Sequence, residues 1–279
     1  MEYESHIPVE VYEPPKGWFP GMHWRELWEY RELLYFLTWR DIKIRYKQAA
    51  LGVTWVVIQP LLTMVIFSVI FGRLAKLPSE GIPYPIFSYV ALLPWLFFAG
   101  SLSRAGSSLV ANSNLLTKIY FPRLVIPLSA VGTGLVDFAV SFVVLLGLML
   151  FYRISPTWAV LTLPLFILLA GLTAFAVGLW LSALNVQYRD IQHLIPFIIT
   201  AWMYASPVAY SASLIPPGFW YIVYGLNPMA GVIQGFRWAL LGAEPPGILF
   251  LVSVVMVIVL LVTGLMYFRK MEDGFADVV

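Results

Sequence analysis

Between Trp24 and Gly72 a charged, aromatic-rich stretch runs directly into an apolar span. Set at 100° per residue, Trp24, Trp28, Tyr35, Trp39, Ile42 and Tyr46 fall on one side of a helix, while Arg25, Glu26, Glu29, Glu32, Arg40, Lys43 and Lys47 occupy its flank and back. That pattern predicts an amphipathic helix over 22–47 lying in the headgroup layer, with indoles at the water–lipid boundary and cations among lipid phosphates. Val53 to Phe71 then carries no ionisable side chain and is long enough to cross a bilayer.

Five further apolar runs follow, giving six expected spans at about 53–71, 86–104, 124–150, 158–184, 191–210 and 247–268. Pro94, Pro164, Pro196 and Pro207 fall inside these runs, which is tolerable where neighbouring helices satisfy the freed carbonyls, so a packed bundle is expected. Gly132, Gly134, Gly171 and Gly178 allow close helix approach. The segment 211–246 is broken at Pro216-Pro217, Asn227-Pro228 and Pro245-Pro246 into two apolar pieces too short to span. It reads as a re-entrant hairpin entering from the outer side; two helices lying flat on that surface is the other arrangement open to it. The prediction is an all-α membrane protein: six transmembrane helices preceded by an amphipathic interfacial helix, with a re-entrant helical hairpin before the last span. Its divisions are a tail at 1–21, the interfacial helix at 22–47, a membrane domain at 48–270 and a second tail at 271–279.

Composition strengthens this reading. Sixty per cent of residues are hydrophobic, only 11% are charged and the mean hydropathy is +0.82, against roughly 25% charged in soluble domains. The net charge of +2 is too small to point to nucleic acid, and the cations lie beside the spans. They also set an orientation. With the amino terminus inside, thirteen cations (Lys16, Arg25, Arg31, Arg40, Lys43, Arg45, Lys47, Arg104, Lys118, Arg123, Arg189, Arg269 and Lys270) lie on the cytoplasmic side, against four outside (Arg73, Lys76, Arg153 and Arg237). The positive-inside rule then puts both termini in the cytoplasm. The first twenty residues are acidic and proline-punctuated and lack the apolar core of a cleavable signal.

Candidate chemistry is sparse. The chain has no cysteine and three histidines, and it lacks HExxH, GxSxG, metal-ligand spacing and the phosphate-binding GxxxxGK[ST] loop. Asp137 is the one carboxylate expected near mid-membrane, where burial costs roughly 2.5–3.5 kcal/mol. A proton site and a packing carboxylate bonded to a neighbouring Ser, Thr or Tyr are both open. With no charged companion evident, packing is the expectation. Translocation, if it occurs, must draw its energy from another polypeptide.

Four strings point the same way: Glu32-LLYFLTWRDIKIRYKQAALGVTWVVIQPLL, Asn112-SNLLTKIYFPRLVIPLS, Leu184-NVQYRDIQHLIPF with Ser206-PVAY, and Leu226-NPMAGVIQGFRWALLG. Together, from about Glu32 to Arg269, they resemble the membrane subunits of ABC exporters for lipid-linked polysaccharides, the O-antigen, capsule and teichoic acid permeases. The resemblance implies a bacterial inner-membrane homodimer enclosing one channel, with two P-loop ATPase subunits docked beneath. ATP and Mg would belong to that partner, and this chain would carry no cofactor. A permease for another lipid or a drug shares the architecture; a membrane glycosyl- or acyltransferase is a rival of a different class, but would need an acid cluster or histidine that is not visible.

The resemblance also gives the polar loops roles. Asn112, Leu115, Leu116, Lys118, Tyr120, Phe121, Pro122 and Arg123, with Tyr188, Arg189 and Asp190, become candidates for coupling to the ATPase, against an ordinary turn and a simple Arg189–Asp190 pair. Arg40, Lys43, Arg45 and Lys47 stand where a lipid pyrophosphate would arrive, although topology alone also places cations there. Trp95, Phe98, Trp202, Tyr204, Tyr210, Trp220, Tyr221 and Tyr224 are candidates for a sugar path and outer gate, since sugar C–H faces rest on aromatic rings; interfacial belt residues are the alternative.

Overall fold

A computed structural model describes residues 24–47, 52–116, 118, 121–216, 218–272 and 274–275. The tail 1–21, Tyr120, and 273 and 276–279 of the second tail lie outside the described residues. Every regular element among those described is helical.

Among the described residues five helices are long and apolar enough to cross a membrane: Thr54–Leu74, Tyr84–Ala111, Val125–Tyr152, Trp158–Gln187 and Gly247–Glu272. In chain order the elements are α1 (Trp24–Glu29), α2 (Arg31–Lys47), α3 (Gly52–Phe67, continued by a π-helical turn over Ser68–Leu74), α4 (Tyr84–Ala111), the single turn α5 (Ser113–Leu116) and α6 (Val125–Tyr152). Then come α7 (Leu163–Gln187, entered through a 3-10 turn), α8 (Ile191–Tyr204), α9 (Phe219–Gly225), α10 (Pro228–Leu241) and α11 (Gly247–Glu272).

The expected span 191–210 is shorter than hydropathy suggests. Its helix, α8, has 14 residues, about 21 Å at 1.5 Å per residue against a hydrocarbon core of about 30 Å. The chain leaves the helix after Tyr204 and turns through Pro207, which is therefore a turn residue and not an intrahelical one. Pro164 likewise sits in the first turn of α7, where its missing N–H costs nothing. Pro94 and Pro196 do lie inside helices.

At the centre stands α4, with 78% of its apolar stretch buried, against 17–39% for the other four long helices. It packs on α6 and α7, and on α3 and α10. Close approach to α7 depends on Gly178, where an added methyl would come within 2.6 Å of the Ala105 Cβ. The outer faces keep large apolar side chains exposed, among them Leu62, Val143, Leu150, Leu168 and Leu251, a surface suited to lipid or to a partner helix and not to water.

At one end, here the α2 end, a second apolar cluster ties α2 to the bundle through Leu37, Leu109, Leu116, Phe121, Leu124, Leu179, Phe268 and Phe275. The helix predicted over 22–47 is broken at Tyr30 into α1 and α2. Of its aromatic side, Trp28, Tyr35 and Trp39 are exposed but Tyr46 turns in against α6, while Leu37 is buried and Leu33 and Leu34 half-buried against the neighbours. At the opposite, hairpin end, α9 is exposed along most of its length. The following α10 is buried along nearly all of its own, packed against α4, α7 and α11.

Candidate functional site

Three groups of polar or aromatic side chains are held by this frame. The first lies where α2, α3, α4 and α6 meet. Arg45 Nη1 is 2.7 Å from Asp137 Oδ2, and Arg104 Nη1 donates to the same oxygen at 3.4 Å. The Tyr46 hydroxyl donates to Asp137 Oδ1 at 2.6 Å. Asp137 therefore has the tyrosine partner expected of a packing carboxylate, and also two charged companions that sequence reasoning missed. Arg104 is not a terminal cation: α4 continues seven residues past it, which sets it about 10 Å inside the helix end. Gly134 makes room for its head, since a methyl there would lie 2.7 Å from Arg104 Nη2. Burial, aided by the bond to Asp137, pushes the Tyr46 hydroxyl up to about 12, so it remains a donor at any working pH.

Of the four predicted entrance cations, Arg45 is thus committed to Asp137. Arg40 pairs with Asp41 at 2.8 Å and donates to Asn112 Oδ1 at 2.7 Å. Lys43 and Lys47 are exposed.

The second group is the loop between α4 and α6. Asn112 ends α4 and binds in two directions, accepting from Arg40 and donating from Nδ2 to the Ser108 carbonyl at 2.9 Å. Leu116 and Phe121 are buried in the cluster at the α2 end and Leu115 is half-buried. These side chains anchor the loop to its own bundle and are not free to enter a groove on another protein. Lys118 is exposed, Pro122 is half-exposed and the Arg123 guanidinium sits 5.8 Å from the Phe275 ring centre. In the other loop Tyr188, Arg189 and Asp190 are all exposed, and among the described residues no ion pair joins Arg189 to Asp190.

The third group is at the hairpin end. Asn227 is a hub: its Oδ1 caps α10 by accepting from Met229 N at 3.0 Å and also accepts from Trp202 Nε1 at 2.8 Å, while Nδ2 donates to Ala205 O and Ser206 Oγ. Arg237, counted from sequence among the outer-side cations, is fully buried. It donates to the carbonyls of Tyr210 and Val208 at 3.0 and 3.2 Å and stacks on Phe87.

The predicted aromatics divide. Trp95 and Phe98 are buried in the bundle core, so they support Trp202 and do not face an open path. Tyr210, Trp220 and Tyr224 line one cavity of about 490 Å³ with Ile215 and Pro216. Tyr221 lines another of about 500 Å³ with Glu80, Ser213, Gln234 and Glu244. Tyr204 is exposed.

Such a bundle fits a polytopic membrane protein, with paired charges at one end and an aromatic, cavity-bearing hairpin at the other. The chain belongs to the ABC-2 type transporter family, whose model matches residues 32–241. It is 34% identical over 260 residues to the O-antigen export system permease protein RfbA of Myxococcus xanthus, covering 91% of this chain and 97% of that one. It is 31% identical to the protein of the same name from Klebsiella pneumoniae, over 88% of this chain and 95% of that one. Identity to the polysialic acid transport protein KpsM of Escherichia coli is 24%, over 84% and 92%. Members of the family are transport permeases that work with an ATP-binding partner, which carries the hydrolytic chemistry.

Proposed function

We propose that this chain is the permease subunit of an exporter moving lipid-linked, undecaprenyl-type polysaccharide across the bacterial inner membrane, as a homodimer with two copies of a P-loop ATPase and with both termini cytoplasmic. The observation that carries the reading is similarity running through 97% of the length of a permease named for O-antigen export.

The geometry supports it. Among the described residues the interior of one bundle is filled by α4 and its neighbours, which argues against a route for a hydrated sugar chain through a single copy. A path between two copies, related by a two-fold axis, accommodates one. The aromatic walls at the hairpin end offer flat, weakly specific contact to sugar rings without a deep trap. The exposed Tyr188–Asp190 loop and Lys118 form the surface that meets the ATPase. The anchored residues Asn112, Leu116 and Phe121 carry its movement into α4 and α6.

Cells lacking their own O-antigen permease, supplied with this chain and its ATP-binding partner, test the reading. Restored glycan at the cell surface, and none when either subunit is omitted, is the expected result. Glycan reaching the surface without the ATPase, or staying inside with both subunits present, would overturn it.

A further inference from the structure

Arg45, Arg104 and Asp137 have uses left over. Two guanidiniums share one carboxylate oxygen, so the group carries a net positive charge. The Arg45 bond is short, but Arg104 is weakly engaged. Its bond to Asp137 is 3.4 Å and its bond from Nε to the Ala130 carbonyl is 3.3 Å, where a charged bond to carboxylate prefers about 2.7–2.9 Å. A guanidinium offers five donors, and these two long bonds leave most of them free for another acceptor. Both arginines and Asp137 border a cavity of about 180 Å³, the space of about six waters. Gln59 and Ser141 add polar atoms to its rim, and Leu93, Leu96, Phe97 and Phe138 give it an apolar wall.

We infer that Arg45 and Arg104 form a seat for the phosphate end of an isoprenyl-type lipid, and that Asp137 occupies the seat until that phosphate displaces it from Arg45. A phosphate has the geometry to take the arginine fork bidentately, which the lone Oδ2 contact does not use. The apolar wall suits the first isoprene units. Arg45 stands on α2, and its side chain is 42% exposed, hence open to a ligand from outside the bundle and able to swing. Tyr46, held as a donor to Oδ1, keeps the displaced carboxylate satisfied during the exchange. The inference rests on the proposed export of a lipid-linked substrate and names the residues that hold its phosphate.

The permease with its ATPase, in nanodiscs, is titrated with farnesyl diphosphate, inorganic pyrophosphate or phosphatidylglycerol. Retention is read by native mass spectrometry and folding by thermal unfolding. Arg45→Gln and Arg104→Gln are expected to weaken farnesyl diphosphate binding about tenfold each. Asp137→Asn, by removing the competitor, should tighten it about tenfold. Tyr46→Phe, which loosens the carboxylate without touching the arginines, should tighten it two- to threefold and serves if Asp137→Asn unfolds. A purely structural triad gives the opposite sign: Asp137→Asn or Tyr46→Phe then loses binding together with the arginine variants, or none of them changes it. Inorganic pyrophosphate or phosphatidylglycerol binding as tightly as the isoprenyl compound also overturns the inference. Export of glycan by cells whose purified complex ignores these substitutions would sink the seat and leave the export reading intact; intact binding without export would do the reverse.

Discussion

The guanidinium carbon of Arg237 lies 3.7 Å from the centre of the Phe87 ring, joining the buried helix α10 to the central helix α4. Among the described residues no carboxylate comes within salt-bridge distance of it. The charge is held by a ring face and by the carbonyls of Val208 and Tyr210, which belong to the turn after α8. One side chain thus fixes three parts of the hairpin end. Arg237→Ala strands both carbonyls in a buried setting and should cost about 3 kcal/mol. Arg237→Lys keeps the charge but loses the planar fork and should recover only part of that. Thermal unfolding of the purified chain in detergent measures both.

Asn227 holds the same region from the other side. Alanine there removes the α10 cap and the bonds to Trp202, Ala205 and Ser206, with an expected loss of about 1–2 kcal/mol. Asn227→Asp keeps the acceptor for Met229 N and Trp202 Nε1 and should retain about half of the stability difference. Protection of the α9–α10 backbone in hydrogen exchange should fall in the alanine variant first.

Packing of α4 on α7 leaves no slack at Gly178. The methyl of Ala105 has no rotamer through which to retreat, so Gly178→Ala forces the helices apart and should destabilise the bundle by about 1–3 kcal/mol. Gly147, with nothing near the position of an added methyl, is the control: Gly147→Ala should unfold at the wild-type temperature.

Exposure separates the aromatics that serve folding from those available to a passing glycan. Trp220 is 65% exposed, so Trp220→Ala should leave stability within about 0.5 kcal/mol of wild type. Loss of its ring face should slow export about fivefold, the equivalent of one stacking contact near 1 kcal/mol. Trp95→Ala and Phe98→Ala should instead fail at the level of folding, because both rings are core. Surface glycan per unit of folded permease distinguishes the two behaviours.

Asn112 connects the α4 end to Arg40 on α2. Asn112→Ala should cost only about 1 kcal/mol of stability, yet release the loop from α2. The expected phenotype is ATP hydrolysis near normal with less glycan moved per ATP, measured as that ratio in reconstituted complex.

Hydropathy carries far in such a chain. Long uninterrupted apolar runs leave few alternatives to spanning helices, and the five long helices follow the predicted runs to within several residues. The short α8 was not legible because 191–210 holds no Asp, Glu, Lys or Arg to mark a break; the helix ends where the backbone turns toward Pro207, a choice made by packing against α4 and the hairpin. The partners of Asp137 were hidden for a different reason. Arg104 is 33 residues away on another helix, and Tyr46 is 91 residues away. Only folding sets those side chains in one cluster. A charge count treats Arg104 and Arg237 as end-of-span cations, whereas helix length sets the first, half-buried, well inside the end of α4 and the hairpin encloses the second. Gly134, small and beside Asp137 in α6, is the local sign that something bulky must fit there.

The decisive test reconstitutes the chain in liposomes preloaded with undecaprenyl-linked glycan on one leaflet, with and without its ATPase and ATP, and scores glycan that becomes inaccessible to an external glycosidase. Transfer only when ATPase and ATP are both present is the predicted result. Accumulation driven by this chain alone, or chemical conversion of the glycan by it, would contradict the account.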